Sequence, residues 1–537
     1  MQRTMHWFPT GIIGPCQPKS SKWTAVYLVV TGAVFATTGG YDSGLMSGIN
    51  IMPAYTKFLK LTTATRSLNV SANFIGWGIA ALTMGPLVNR IGRKNAVLLS
   101  LFMKCFSIGL ITGAQNFPMF VTGRILLGFA KGTSGIAAST WLAETLPPKI
   151  RGFGLSITFS VYYIGALLAA GVTYRTARIA GDWSWRLPCL LQVVFTFISG
   201  FCLFFTPESP RWLAYQDRNA DALAVLASVR ANGDQTDVGT LEQYEEIIKA
   251  RNWERECGTT MSWSELVKTS SARRRVFLAV SVAVIAMGSG ELALSNKTEP
   301  FADIFRGNNI ASYFLGDMLT NAGITNRNTQ LQINVVMNSW CLICAVVGTF
   351  LMDKVGRKTL ALYACIGMTA MMFALGGLTK AFSTSTNLSG IYGTVACIFL
   401  FMGSYSVGIT PVTNLYPAEI LSYPIRSNGM ALWAGVIACT AIFTTLVFPI
   451  ALKAISWRLY FIIGAWDLLE WLFVRFLWVE TKGLSLEAID LLFEGARPGD
   501  HAHATESGSI SVIEGRHAKT DASESVVDLG KTSSNRK

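Results

Sequence analysis

Between Gly39 and Gly48 the chain reads Gly39-Gly40-Tyr41-Asp42-Ser43-Gly44-Leu45-Met46-Ser47-Gly48, a carboxylate among glycines near the end of an apolar run that begins around Val26. A carboxylate at membrane depth costs roughly 3 kcal/mol or more, so it is kept where it pairs with a cation, takes up a proton or faces a ligand. The flanking glycines let a second helix or a ligand approach the backbone closely. At the aqueous end of its helix the same residue would merely cap the next segment, and position alone leaves both readings open. Catalytic chemistry is harder to assemble. The four histidines, His6, His501, His503 and His517, all lie in the termini, so the apolar segments have none for a proton relay, a haem or a nucleophile. Cys341 and Cys344 form a CxxC inside an apolar run, where packing is expected rather than metal or redox chemistry. No enzyme activity, metal site or cofactor is expected.

The elements that must hold Asp42 follow from composition. Of 537 residues 51% are hydrophobic and only 14% charged, against about a quarter charged in a soluble protein. Apolar windows of about 20 residues recur along the chain, as in a polytopic membrane protein embedded in a lipid bilayer. The net charge of +13 sits mostly in short loops between those windows, which is the positive-inside pattern rather than a nucleic-acid surface. Basic clusters follow the second, fourth and sixth spans and place both termini in the cytoplasm. The expected organisation is an N-terminal tail (1–23), a first six-helix half (24–206), a charged cytoplasmic linker (207–275), a second six-helix half (276–482) and a mostly disordered cytoplasmic tail (483–537). The first span is expected over 24–46, followed by a loop containing Asn69-Val70-Ser71, and the second over 72–88. The seventh span is irregular: the apolar run 276–287 is too short to cross, and Glu291, Lys297, Glu299 and Asp303 follow before apolar character returns at 310–319. Removing about 20 residues would join the fragments into one acceptable helix. Residues 284–306 are thus either retained non-coding sequence or a real interruption that reshapes the cavity.

An internal repeat supports the two halves. The loop after the second span runs Gly85-Pro86-Leu87-Val88-Asn89-Arg90-Ile91-Gly92-Arg93-Lys94; the one after the eighth runs Gly348 to Met352 and then Asp353-Lys354-Val355-Gly356-Arg357-Lys358. Recurrence in register is the mark of parallel repeats related by an axis along the membrane normal. The order of further motifs carries a family resemblance. They are Gly123-Arg124, Glu144-Thr145-Leu146-Pro147 with Arg151-Gly152, Trp185-Arg186, Pro207-Glu208-Ser209-Pro210-Arg211-Trp212-Leu213, Tyr416-Pro417-Ala418-Glu419, Arg426-Ser427-Asn428-Gly429 and Val479-Glu480-Thr481-Lys482-Gly483. In these the chain resembles the sugar porters of the major facilitator superfamily over nearly its whole length, closest in wording to the fungal lactose permease and hexose transporter branch.

The resemblance implies an all-α major facilitator fold of about twelve transmembrane helices in two six-helix halves, working by alternating access. It implies that Arg90, Arg93, Glu144, Arg151, Glu208 and Arg211 in the first half, and Asp353, Arg357, Glu419, Arg426 and Glu480 in the second, form ion pairs that close the cytoplasmic side. Partly buried pairs that break and re-form suit a two-state gate. Asn89 replaces the commoner aspartate and removes one anion. Asp42 and Arg124 match the proton-coupling pair of the family's symporters, so protons are expected partners alongside a sugar such as a hexose or a disaccharide. The family's sugar-binding positions are altered: its fifth-span glutamine falls at Phe159, its seventh-span glutamines at Asp303 and Ile304, and its tenth-span tryptophan at Asn414. The substrate-binding candidates are Phe159, Asn309, Tyr313, Phe314, Asn338 and Asn414, with Asn334 as an alternative on the eighth span. Asn309 and Tyr313 lie four apart and so share a helix face. Asn387, in Asn387-Leu388-Ser389, is the candidate glycosylation acceptor. The expected function is sugar transport at the plasma membrane, with another polyol or a quinate-like solute, or a non-transporting sugar sensor, as the alternatives.

Overall fold

The computed structural model describes residues 20–256, 263–288, 315, 319, 326–382, 388–455, 457–484, 489–490 and 492–493. Met1–Leu484 belong to one compact unit; of the second, Ser485–Lys537, the four described residues are helical. Among the described residues all regular structure is helical. The long helices are α1 (Ser21–Ile51), α2 (Thr63–Ile91), α3 (Arg93–Thr112), α4 (Phe117–Thr145), α5 (broken at Val161 into Pro148–Ser160 and Tyr162–Thr176), α6 (Trp183–Phe204), α7 (Ser270–Gly288), α8 (Arg327–Val355), α9 (Arg357–Phe382), α10 (Leu388–Ile420), α11 (Tyr423–Ile455) and α12 (Arg458–Leu477). Short helices at Pro210–Tyr215, Asn219–Arg230, Val238–Glu256 and Glu265–Lys268 build the linker.

Nine helices among the described residues are long and apolar enough to cross a membrane. The exceptions among the twelve are α4, α7 and α12, and each carries charge: Arg124, Lys131 and Glu144 in α4, Arg273 to Arg275 at the start of α7, Asp467 and Glu470 in α12. Arg124 and Glu144 of α4 and Asp467 and Glu470 of α12 are buried, and Lys131 is half-buried. These two helices are therefore held by polar partners as well as by apolar packing.

The repeat is visible in the packing. In the first half α1 lies on α5, α2 on α4, and α3 on α4 and α6; in the second α7 lies on α11, α8 on α10, and α9 on α10 and α12. Each contact recurs with the helix number advanced by six. Two seams join the halves, α2 against α11 and α5 against α8, and the same shift exchanges them. Polar pairs stitch both: Ser71 and Thr445 hydroxyls lie 2.6 Å apart across α2 and α11, and Ser160 and Thr349 hydroxyls 2.7 Å apart across α5 and α8.

Several helix ends differ from the expected spans. The first helix continues past 46 to Ile51, so Asp42 sits within α1 rather than at its end. The segment Asn69-Val70-Ser71 is not a loop. Thr62 and Thr65 form a reciprocal capping box that starts α2 at Thr63, and Asn69 is buried with its amide donating to the Tyr55 hydroxyl at 2.8 Å. Asn69 is thereby shielded from modification. Residues 289–306, Asn309, Tyr313 and Phe314 of the irregular seventh span lie outside the described residues, as does Asn387.

The duplicated loops turn on Gly92 (φ 94°) and Gly356 (φ 106°), a region that residues with a Cβ rarely adopt. A Cβ on Gly92 would also lie 2.6 Å from Glu208 Oε2, and one on Gly356 2.5 Å from Glu480 Oε2. Gly181, with φ 82°, has nothing within 4 Å of that position. Gly92→Ala is thus expected to lower stability by ~2 kcal/mol and Gly181→Ala by ~1 kcal/mol, from backbone strain with and without the carboxylate clash. Thermal unfolding of the detergent-purified protein measures both; equal losses would show that the Glu208 contact adds nothing.

Candidate functional site

The glycine stripe of α1 sets the position of Asp42. Gly40, Gly44 and Gly48, spaced by one turn, press on α5 at the Tyr162 carbonyl, Ala166 and Thr173. A Cβ at Gly40 would overlap that carbonyl, so only glycine allows this approach. Two residues on from Gly40 the helix has turned by about 200°, and Asp42 faces away from α5 towards α3, where its carboxylate forms a salt bridge with Lys104 Nζ. Both side chains are buried. Arg124 is buried in the same charge cluster; its Nε donates to the Asn69 carbonyl at 3.4 Å. Lys131, midway along α4, completes the cluster. Asp42, Lys104 and Arg124 all act on it electrostatically. Its Nζ donates to Ser43 Oγ at 2.5 Å and to the Gly39 carbonyl at 3.4 Å, and lies 5.4 Å from the Trp77 ring centroid and 5.8 Å from that of Tyr162.

The expected coupling residues Asp42 and Arg124 are therefore in one cluster, but the salt bridge of Asp42 runs to Lys104. Neither Lys104 nor Lys131 was among the residues expected from sequence. The signal was present: each is a lone cation inside an apolar run, Leu101-Phe102-Met103-Lys104-Cys105-Phe106 and Gly128-Phe129-Ala130-Lys131-Gly132, and carries the same cost that singles out Asp42.

A second network closes the end of the bundle that bears the linker. Arg93 Nε lies 3.1 Å from Glu144 Oε2, and Arg426 Nη1, from the other half, 3.6 Å from Glu144 Oε1. The Arg93 guanidinium also donates to the Tyr423 hydroxyl at 3.4 Å and lies 5.5 Å from that ring centroid. The second half repeats the arrangement: Arg357 Nη2 is 3.3 Å from Glu419 Oε1, and its Nη1 3.3 Å from Asp353 Oδ1. Arg151, from the first half, is buried and acts electrostatically on Glu419. Each half thus supplies an arginine to the glutamate of the other.

Two further carboxylates lock the loops behind this network. Glu208 accepts the backbone N–H groups of Arg93 and Lys94 at 3.1 Å, the orphan donors at the start of α3. Glu480 does the same for Arg357 (2.9 Å) and Lys358 (3.1 Å) at the start of α9. Ser209 then donates to Glu144 at 2.5 Å, and Thr481 to Glu419 at 2.7 Å. A carboxylate at a helix N-terminus is favoured by the helix dipole as well. Desolvation pushes the Glu208 carboxyl up from the usual range, against the opposing pull of the Ser209 and Lys94 amides. Arg211 is buried in the short helix that follows. Arg90 is exposed and stands outside the network among the described residues.

Polar side chains also meet across the seams between the halves. Ser47 donates to Asn334 at 3.4 Å, and the Asn338 amide donates back to the Asn334 carbonyl at 2.8 Å, joining α1 to α8. Ser406 of α10 donates to the Tyr163 hydroxyl of α5 at 3.0 Å, and Thr410 lies 3.4 Å from it. Phe159 is half-buried and stacks on Tyr162 with centroids 6.2 Å apart. Asn414 is half-buried on α10, its Oδ1 without a hydrogen-bond partner among the described residues. Three of the six expected substrate contacts are thus placed on α5, α8 and α10, around the inter-half seam.

Comparison with known proteins agrees with this architecture. The family model described as sugar (and other) transporter matches residues 28–296 and 300–493. An MFS-type transporter, criB, of Aspergillus cristatus is 28% identical over 455 residues, covering 85% of this chain and 90% of its own. The MFS glucose transporter mfs1 of Aspergillus flavus is 25% identical, covering 93% and 97%. The structure of the proton:xylose symporter XylE bound to 6-bromo-6-deoxy-D-glucose superposes with a TM-score of 0.74 at 20% identity, over 88% of this chain and all of that one, and so shares the fold.

Breaking a buried pair leaves its partner charged and unmatched, at a cost of about 3 kcal/mol or more, whereas removing both members costs far less. Lys104→Met is therefore expected to destabilise the protein more in the wild-type background than when Asp42→Asn has already removed its partner. A thermal-unfolding double-mutant cycle measures the coupling; additive losses would mean that the pair is not a unit.

Proposed function

This chain belongs to the sugar porters of the major facilitator superfamily, and we propose that it moves a sugar across the plasma membrane by alternating access, coupled to protons. The observation that carries the reading is the reciprocal contact at the linker end. Arg426 reaches Glu144 across the halves, and Arg151 acts on Glu419 in the opposite sense. Such contacts tie two half-bundles together without fusing them, because Arg426 also donates to the Leu421 carbonyl of its own half. Rocking of one half on the other then opens a central site to alternate sides. The basic loops at this end support a cytoplasmic location for it, and with it for both termini.

In this reading Asp42 carries the proton. A conformational change that pulls α1 from α3 and α4 would part Asp42 from Lys104 and Arg124 and let a proton on; its reversal expels the proton. The solute binds in the seam beside Phe159, Asn338 and Asn414, with Asn309, Tyr313 and Phe314 of the irregular span as further contacts. The names of the relatives support sugar as the solute class, and the buried charge cluster supports coupling.

In a transporter-null host, Asp42→Asn is expected to abolish uphill, protonophore-sensitive uptake while leaving solute exchange measurable. Undiminished uphill uptake by that variant would exclude Asp42 as the coupling residue.

A further inference from the structure

Lys131 is not needed to neutralise Asp42. Among the described residues three cations, Lys104, Arg124 and Lys131, gather around Asp42. Asp42 is already salt-bridged by Lys104, and Lys131 has no carboxylate within ion-pair distance among the described residues. A lysine midway along a membrane helix cannot extend its ammonium to either aqueous face, so its cost must be recovered inside the bundle. Lys131 alone of the four is half-buried rather than buried. It is also enclosed: Ser43 and Gly39 of α1, Trp77 of α2 and Tyr162 of α5 surround its Nζ. Tyr162 in turn stacks on Phe159, so the ammonium lies beside an aromatic pair.

Resting on the transporter reading above, we propose that Lys131 binds the carboxylate of the transported solute, which is a sugar acid or a related polyhydroxy carboxylate rather than a neutral sugar. The ammonium supplies the charge, and Ser43 a hydroxyl at the same point. Trp77, Tyr162 and Phe159 offer aromatic faces to the carbon skeleton, which is how sugar rings are recognised. The ammonium of Lys131, with no carboxylate within ion-pair distance among the described residues, gives an anion a reason to leave water for this site. Lys104 remains committed to Asp42, so solute and proton are read by different cations.

The test compares D-glucuronate with D-glucose, which differ by one carboxylate, in counterflow assays on proteoliposomes containing the full-length chain, with quinate as a cyclic acid. Wild type is expected to exchange at least one of the acids with a KM far below that for glucose. Lys131→Met should raise that KM on the order of tenfold to a hundredfold, the worth of a charge-assisted hydrogen bond, by a larger factor than any KM for glucose, and be partly rescued by Lys131→Arg. Folding of the variants is checked by thermal unfolding, where Lys131→Met should match wild type because it leaves no anion unpaired. Exchange of glucose but neither acid by wild type, or an unchanged KM for the acid in Lys131→Met, would overturn the proposal and leave the sugar-transporter reading standing. Exchange of none of the three, with a folded protein, would overturn this proposal together with the sugar reading.

Discussion

Charge inside an apolar bundle has to find its match within the bundle, and this one requirement orders much of the molecule. Water is not available to solvate Asp42, Lys104 or Arg124, so the helices that carry them must pack in the arrangement that brings them together. The glycine stripe of α1 makes that packing possible by setting α1 hard against α5 and turning Asp42 towards α3. The same requirement holds at the linker end, where Glu144 and Glu419 each receive an arginine from their own half and feel one from the other. Buried charge adds little net stability. It specifies which surfaces belong together, and it allows an alternative arrangement of nearly equal energy.

The duplicated loops show how local and global structure reinforce each other. Gly92 and Gly356 take a backbone conformation that lets the chain reverse within one residue. The reversal exposes the first amides of α3 and α9, and Glu208 and Glu480 arrive from distant parts of the chain to accept them. Ser209 and Thr481 then hold the gate glutamates from behind. Each half thus has a rigid corner that presents an arginine and a glutamate to the opposite half. Rigid corners joined by breakable contacts are what a rocking mechanism needs.

Much of this was legible in the sequence. The length and number of apolar windows, the repeat of Gly-Arg-Lys after the second and eighth spans, and the ordered motifs led to the all-α fold and to the family. Charged residues in those motifs, Arg93, Glu144, Arg357, Glu419 and Arg426 among them, meet in space. Arg90 does not, because its place on the last turn of α2 turns it to the outside. Lys104 and Lys131 were less legible than Arg124, because each is a lone cation in an apolar run with no motif around it. Asn69 was misplaced because the Thr62–Thr65 capping box starts a helix where a polar run suggested a loop. The solute contacts were the least legible, because they are single side chains on separate helices with no fixed spacing.

The central claim is that the two halves part at the linker end. Spin labels at Arg90→Cys and Val355→Cys, exposed corresponding ends of α2 and α8, in a background whose native cysteines are replaced, report that separation directly by pulsed dipolar spectroscopy. One short distance is predicted for the protein as it stands, with a second, longer distance appearing when Glu144→Gln removes the anion that Arg93 and Arg426 share. A single distance unchanged by Glu144→Gln and by every transported solute would contradict the account.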